Sequence, residues 1–189
     1  MRLVLASHNA HKAREFTRLL PGWEVEPYGG ELPEETGETF LDNALLKARA
    51  VHEATGGAEW VLADDSGIEA AALGGRPGVR SARFAGEHAT DEQNLAKLLG
   101  VLAGREDRRV AYVAELVAIA PDGRELHARG ELRGSLADAP RGTGGFGYDP
   151  AFIPEGEQRT VGEMSAEEKD AISHRARAAH ALLALLPAP

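Results

Sequence analysis

Two short runs, Leu3 to Ala6 and Trp60 to Ala63, are apolar at every position and then break directly into polar residues. A strand with this pattern is buried on both faces, and such strands belong to sheets that helices cover on both sides. That constraint leaves a layered α/β arrangement as the framework for the rest of the chain. After the first run comes the polar segment Ser7 to Lys12. Phe16, Leu19 and Leu20 then recur at helical spacing until Pro21 and Gly22 stop the helix. Thr39 with Asp42 forms a capping box ahead of Leu41, Ala44, Leu45, Ala48 and Val51, one helical stripe, while Asn43 and Lys47 share another face.

The second apolar run leads into Asp64, Asp65, Ser66 and Gly67, which puts those polar residues at the carboxyl end of a strand. Asp91 opens a helix with Leu95, Leu98, Leu99 and Leu102 inward and Lys97 outward. Val110 to Ala120 and Glu125 to Leu136 read as long strands joined by the turn Pro121, Asp122 and Gly123, an antiparallel hairpin. A glycine-rich loop from Pro140 to Tyr148 precedes the short segment Ala151 to Ile153, and Ser165 with Glu168 starts a C-terminal helical region that runs to Leu182–Leu186. Strands alternating with helices and followed by a hairpin predict a mixed sheet with helices packed on it, in one domain spanning residues 1–189.

Composition excludes several kinds of function. There are no cysteines, so disulfides, thiolate metal sites and a cysteine nucleophile are absent and a reducing cytoplasm suits the chain. No apolar run approaches the roughly 18 residues of a membrane span, and neither a signal peptide nor an anchor is expected. A formal charge of -9 disfavours nonspecific nucleic-acid binding, which needs a basic face. Only four of the 21 basic residues are lysine: Lys12, Lys47, Lys97 and Lys169. Where arginine is the default surface cation, each lysine is a candidate for a site that wants a compact point charge.

Three segments carry residues suited to chemistry. Ser7, His8, Asn9, Ala10, His11 and Lys12 link a buried strand to a helix, a place where backbone N–H groups can seat phosphate with Lys12 as a clamp. The same segment also reads as an ordinary polar connection capped by Ser7 or Asn9. Asp64 and Asp65 offer the hard oxygen ligands that suit Mg²⁺, or else simple turn chemistry with Ser66 and Gly67; Glu34 and Glu35 could supply another ligand. In Gly142 to Asp149, glycines permit close backbone approach and Phe146 and Tyr148 offer faces for stacking a base, although such loops are also common structural features. The histidines lack zinc-motif spacing, and no serine sits in a nucleophile elbow.

Taken together, Ser-His-Asn-Ala-His-Lys (7 to 12), Glu-Glu-Thr-Gly (34 to 37), Phe-Leu-Asp-Asn-Ala-Leu-Leu-Lys-Ala (40 to 48), Asp-Asp-Ser-Gly (64 to 67), Gly-Thr-Gly-Gly-Phe-Gly-Tyr-Asp-Pro (142 to 150) and Ser-His-Arg (173 to 175) strongly resemble the inosine triphosphate pyrophosphatase family. The resemblance spans essentially the whole chain in order. It implies a homodimer whose elongated mixed sheet carries two lobes around a nucleotide cleft. It also implies Mg²⁺-dependent hydrolysis of non-standard purine nucleoside triphosphates (ITP, dITP, XTP) to the monophosphate and pyrophosphate. By the same resemblance, Ser7 to Lys12 grips the triphosphate, Lys47 is a substrate-binding residue, Glu35 and Asp65 hold the metal, and Asp65 activates water while Ser66 touches substrate, which makes Asp65, Lys12 and Glu35 the expected catalytic residues. Phe146, Gly147, Tyr148 and Asp149, with Lys169, His174 and Arg175, form the nucleoside end; Arg175, which has only donors, would meet the oxygen at purine position six. A nucleotide hydrolase of the Maf group and a non-hydrolysing nucleotide sensor remain as alternatives, opposed by the Phe-Gly-Tyr-Asp and Ser-His-Arg elements and by the retained Glu35 and Asp65 respectively.

Overall fold

The computed structural model describes residues 1–187. Six strands form one mixed sheet in the order β2-β1-β3-β4-β5-β6, with β1 (Arg2–Leu5), β2 (Glu24–Pro27), β3 (Trp60–Ala70), β4 (Arg109–Ile119), β5 (Glu125–Leu136) and β6 (Phe152–Pro154). β1 runs parallel to both β2 and β3, and β6 runs antiparallel to β5. β4 and β5 are neighbours joined only by residues 120–124; a parallel pair would need a crossover of about a dozen residues, so they form the expected antiparallel hairpin.

Among the described residues the α-helices are α1 (Ala10–Leu19), α2 (Phe40–Ala54), α3 (Asp91–Leu102), α4 (Ala166–Ile172) and α5 (His174–Leu183). Their starts follow from the sequence. Thr39 and Asp42 form a reciprocal capping box on α2, as Ser165 and Glu168 do on α4. The C-terminal helical region is two helices, because Ser173 takes an extended conformation between them. Among the described residues, no helix is long and apolar enough to cross a membrane.

The chain divides into two compact units, and the divisions fall inside β3 after Asp65, inside β4 after Val113, inside β5 after Gly130 and between α4 and α5 after Ser173. In the first unit, alternation along each strand feeds two cores. Leu3, Leu5, Trp60, Leu62, Ala114 and Leu116 pack with Phe16, Leu19 and Leu182, whereas Val4, Ala6, Val61, Ala63 and Val117 pack with Ala44, Ala48 and Val51 of α2. This is the two-sided burial that the apolar runs predict. Phe16 is fully buried, and its truncation to alanine would cost about 3–5 kcal/mol. The second unit gathers Ile68, Leu95, Leu98, Leu102, Val110, Leu132 and Phe152 into one core, with Tyr112 stacked on Phe152 at 4.4 Å.

Two features depart from the sequence reading. β2 was not expected, because Glu-Val-Glu-Pro offers a single apolar residue; as a short edge strand it needs little more. β3 does not end at Ala63 but continues for seven residues to Ala70. Asp64, Asp65 and Ser66 therefore lie inside the strand and not at its carboxyl end. The strand persists because Ile68 and Ala70 rejoin a core and because the two aspartates find charged partners in place of water.

Candidate active site

Strand alternation places Asp64 on the α1 and α5 face of β3 and Asp65 on the α2 face. Asp64 is fully buried, and its Oδ2 meets Lys12 Nζ at 2.9 Å and Arg175 Nε at 3.1 Å. Arg175 also donates through Nη1 to Glu15, itself buried on α1. Burial alone would push the Asp64 carboxyl up, but Arg175 and Lys12 outweigh it and hold the group well below the usual carboxylate range. Burial also lowers the pKa of Lys12, against the pull of Asp64.

Asp65 has different company. Asn43 Nδ2 donates to its Oδ2 at 3.0 Å, and Lys47 Nζ stands 3.7 Å from its Oδ1. The same ammonium donates to Glu35 Oε1 at 2.5 Å and to the Asp64 carbonyl at 2.9 Å, so one lysine ties together both carboxylates and the strand backbone. Asn43 and Lys47 are one helical turn apart on α2, and the Asn43 Oδ1 accepts from Gly37 N, which fixes the loop that carries Glu35. Burial raises the pKa of Asp65; Lys47 opposes the rise and the charge of Glu35 adds to it. Glu35, Asp65 and the Asp64 carbonyl are hard oxygen donors. Among the described residues no three histidine or carboxylate side chains form a closed metal cage. One or two carboxylates plus substrate phosphate is the donor set Mg²⁺ takes, whereas zinc would require a third protein ligand, so this pair fits magnesium.

The Ser7 to Lys12 segment caps its own helix. Asn9 Oδ1 accepts from the amides of His11 and Lys12, and Ser7 Oγ accepts from Asn9 N. Those three amides thus have partners inside the loop, and Lys12 is its main charged group near Asp64. His8 Nε2 donates to the Gly30 carbonyl at 2.8 Å.

In the second unit, Asp149 organises the glycine-rich loop. Its carboxylate accepts from Phe146 N at 2.8 Å, from Lys169 Nζ at 2.9 Å and from Tyr112 Oη at 3.0 Å, and Lys169 lies 4.5 Å above the Phe146 ring. Gly147 N donates to Asp91 Oδ2 at 2.9 Å. Gly142 packs so tightly on Gly162 that no Cβ would fit; that glycine serves backbone packing, whereas Gly147, at φ +63°, has open space around it. A cavity of about 650 Å³ in this unit, lined by Glu69, Arg109, Glu131, Arg133 and Glu155, contains none of the expected site residues.

With this geometry established, the comparisons with known proteins give the lineage. The sequence profile of the Ham1 family matches residues 3–185. The chain belongs to the Ham1 family. It is 50% identical over 186 residues to a dITP/XTP pyrophosphatase of Deinococcus radiodurans, covering 97% of this chain and 92% of that one. The Ham1 protein structure from Coxiella burnetii superposes with a TM-score of 0.88 at 39% identity, covering 98% of each chain. That from Staphylococcus aureus does so with a TM-score of 0.87 at 39% identity, covering 98% of this chain and 97% of the other. The family resemblance carried by the six motifs is thereby borne out.

Within this Ham1 chain, the structure brings Lys12, Glu35, Lys47 and Asp65 together in the first unit, and Phe146, Gly147, Asp149 and Lys169 together in the second. Ser66 is half-buried at the next position of β3. The Tyr148 ring belongs to the core and its hydroxyl donates to the Ser81 carbonyl, so of the two aromatics Phe146 is the half-buried one. Arg175 stands apart from the picture of an arginine presented to a base. Only 2% exposed, it is gripped by Glu15 and Asp64, because two buried carboxylates need a cation more than solvent does. His174 is buried at the start of α5. Sequence reasoning assigned no role to Glu15 or Asn43. The position of Asn43 four residues before Lys47 was the signal for one; Glu15 gave none, since its partner lies 160 residues away.

Proposed function

We propose that this chain hydrolyses non-standard purine nucleoside triphosphates, ITP, dITP and XTP, to the monophosphate and pyrophosphate. Kinship with dITP/XTP pyrophosphatases along nearly the full chain carries the reading, and the Asp65, Glu35 and Lys47 group supplies a means. Asp65 takes the proton of the attacking water. Asn43, which donates to one oxygen of Asp65, fixes which oxygen faces the reaction. Glu35 and Asp65 would hold Mg²⁺, which when bound lowers the pKa of nearby water and draws charge from the triphosphate. Lys12 and Lys47 neutralise phosphate oxygens and the departing pyrophosphate, which makes catalysis chiefly electrostatic and positional. Phe146, Gly147 and Lys169 are assigned to the nucleoside end. Arg175 can reach a base only by releasing a carboxylate partner, so any part it plays in selectivity is coupled to Glu15 and Asp64.

The test is pyrophosphate release from ITP, XTP, ATP and dTTP with and without Mg²⁺. ITP and XTP are expected to be cleaved in its presence and ATP to be refused. Equal turnover of dTTP would favour the Maf-type alternative, and tight ITP binding without pyrophosphate would favour a sensor. A homodimer in the cytoplasm completes the proposal; sedimentation of an active monomer would remove the first part.

A further inference from the structure

Three consecutive residues of the glycine-rich loop are each tied to something outside the loop's own backbone. The amide of Phe146 donates to the carboxylate of Asp149, which is itself held by Lys169 and Tyr112. The hydroxyl of Tyr148 donates to the Ser81 carbonyl at 2.7 Å, and the Ser81 hydroxyl accepts from Ile68 N on β3. Both ties are anchored among buried residues. Between them, Gly147 is held differently: its amide donates to Asp91 Oδ2 at 2.9 Å, across 56 residues of chain, and Asp91 is an exposed side chain in the first turn of α3.

This contact has three properties that matter together. It is charge-assisted, and so stronger than a neutral hydrogen bond. It restrains the residue with the greatest backbone freedom, a glycine at φ +63° with open space around its Cα. It is also made by an exposed side chain that belongs to none of the hydrophobic cores. A contact of that kind contributes little to holding the fold and much to choosing one loop conformation among several.

We propose that Asp91 is a positioning residue for the nucleoside end of the site, holding Gly147 so that Phe146 and its overlying Lys169 are in place before the purine arrives. The inference rests on the assignment of Phe146 and Lys169 to the nucleoside. Without the clasp, binding must order the loop, a cost that falls on affinity and leaves the reacting centre untouched.

The experiment compares Asp91→Ala, Asp91→Asn, Glu92→Gln and Phe146→Ala. Glu92 is the next acidic residue in the same helical turn, exposed and hydrogen-bonded to Thr90 of its own cap, so it controls for loss of negative charge at the helix end. Asp91→Ala is expected to raise KM for ITP about three- to tenfold with kcat unchanged, the cost of ordering one loop that is otherwise pre-ordered. Asp91→Asn, whose amide oxygen can still accept from Gly147, restores most of the affinity. Inhibition by inorganic tripolyphosphate, which carries no base, stays as in wild type. If Asp91→Ala behaves like Glu92→Gln, or weakens tripolyphosphate as much as ITP, Asp91 is merely a helix-end residue and the proposal is overturned. If Phe146→Ala itself leaves KM for ITP unchanged, the assignment of the nucleoside end is wrong, a failure distinct from that of the clasp.

Discussion

The two faces of β3 at Asp64 and Asp65 carry the same functional group under opposite terms. On the α1 and α5 face, Asp64 has two cations within 3.1 Å and its pKa is depressed; on the α2 face, Asp65 has an amide, a lysine 3.7 Å away that it shares with Glu35, and a raised pKa. A carboxylate that is fully neutralised is a structural element. One that is buried and only partly neutralised retains the capacity to take a proton or to ligate a cation. Pairs of carboxylates whose surroundings push their pKa values apart often divide their roles in this way.

The largest expected effect concerns Asp65→Asn. Loss of the charge should cut ITP turnover by roughly 10² or more, while the melting temperature measured without Mg²⁺ is unchanged or higher. The sign follows from linkage. The folded-state pKa of Asp65 is raised, so its ionisation costs the fold once pH rises past the unfolded value, and the uncharged variant gains on wild type across that window. Near-normal turnover in Asp65→Asn would erase the functional half of the comparison.

Asp64→Asn should do the reverse. It strands Lys12 and Arg175 without their shared partner, and breaking a buried pair costs about 3–5 kcal/mol. In a chain of this size that lowers the melting temperature by about 6–20 °C. Because the folded pKa of Asp64 is depressed, its contribution is complete above the ordinary carboxylate range and is lost only as pH falls through the depressed value. The gap between wild type and variant should therefore hold from about pH 7 to about pH 5 and close only in strong acid. Calorimetry that found the gap closing by about pH 5 would show that Asp64 is not held by its cations.

The smallest effect sharpens the boundary between the faces. Lys12 belongs to the Asp64 side yet is assigned to phosphate, so Lys12→Ala should weaken tripolyphosphate inhibition about tenfold or more and leave inosine binding alone. Equal losses for both ligands would return Lys12 to a purely structural role.

Much of this was legible in advance wherever the physics is local. The caps at Thr39 and Ser165 and the two-sided burial of β1 and β3 depend on residues a few positions apart, and the scarcity of lysine pointed to Lys12 and Lys47. What escaped notice depends on distant partners. Glu15, between Arg14 and Phe16, looks like a solvated helix residue until Arg175 is brought beside it. β3 appears to stop at Ala63 because Asp64 and Asp65 look like turn residues; only cations from α1, α2 and α5 make them tenable in a strand interior. Asp91 reads as a helix-start acid, and nothing within its own helix indicates that it also holds Gly147.

The grip of Arg175 on Glu15 and Asp64 has a consequence for how the protein is made. Those partners lie 160 and 111 residues earlier in the chain, so a ribosome delivers both carboxylates long before the guanidinium that neutralises them. Until residue 175 emerges, the apolar strands of the first unit can collapse only around two anions that still lack Arg175, a state that favours reopening over premature closure. Full neutralisation of this buried pair therefore waits on α5, and a chain truncated before residue 174 is expected to be cut faster by added protease than the full chain.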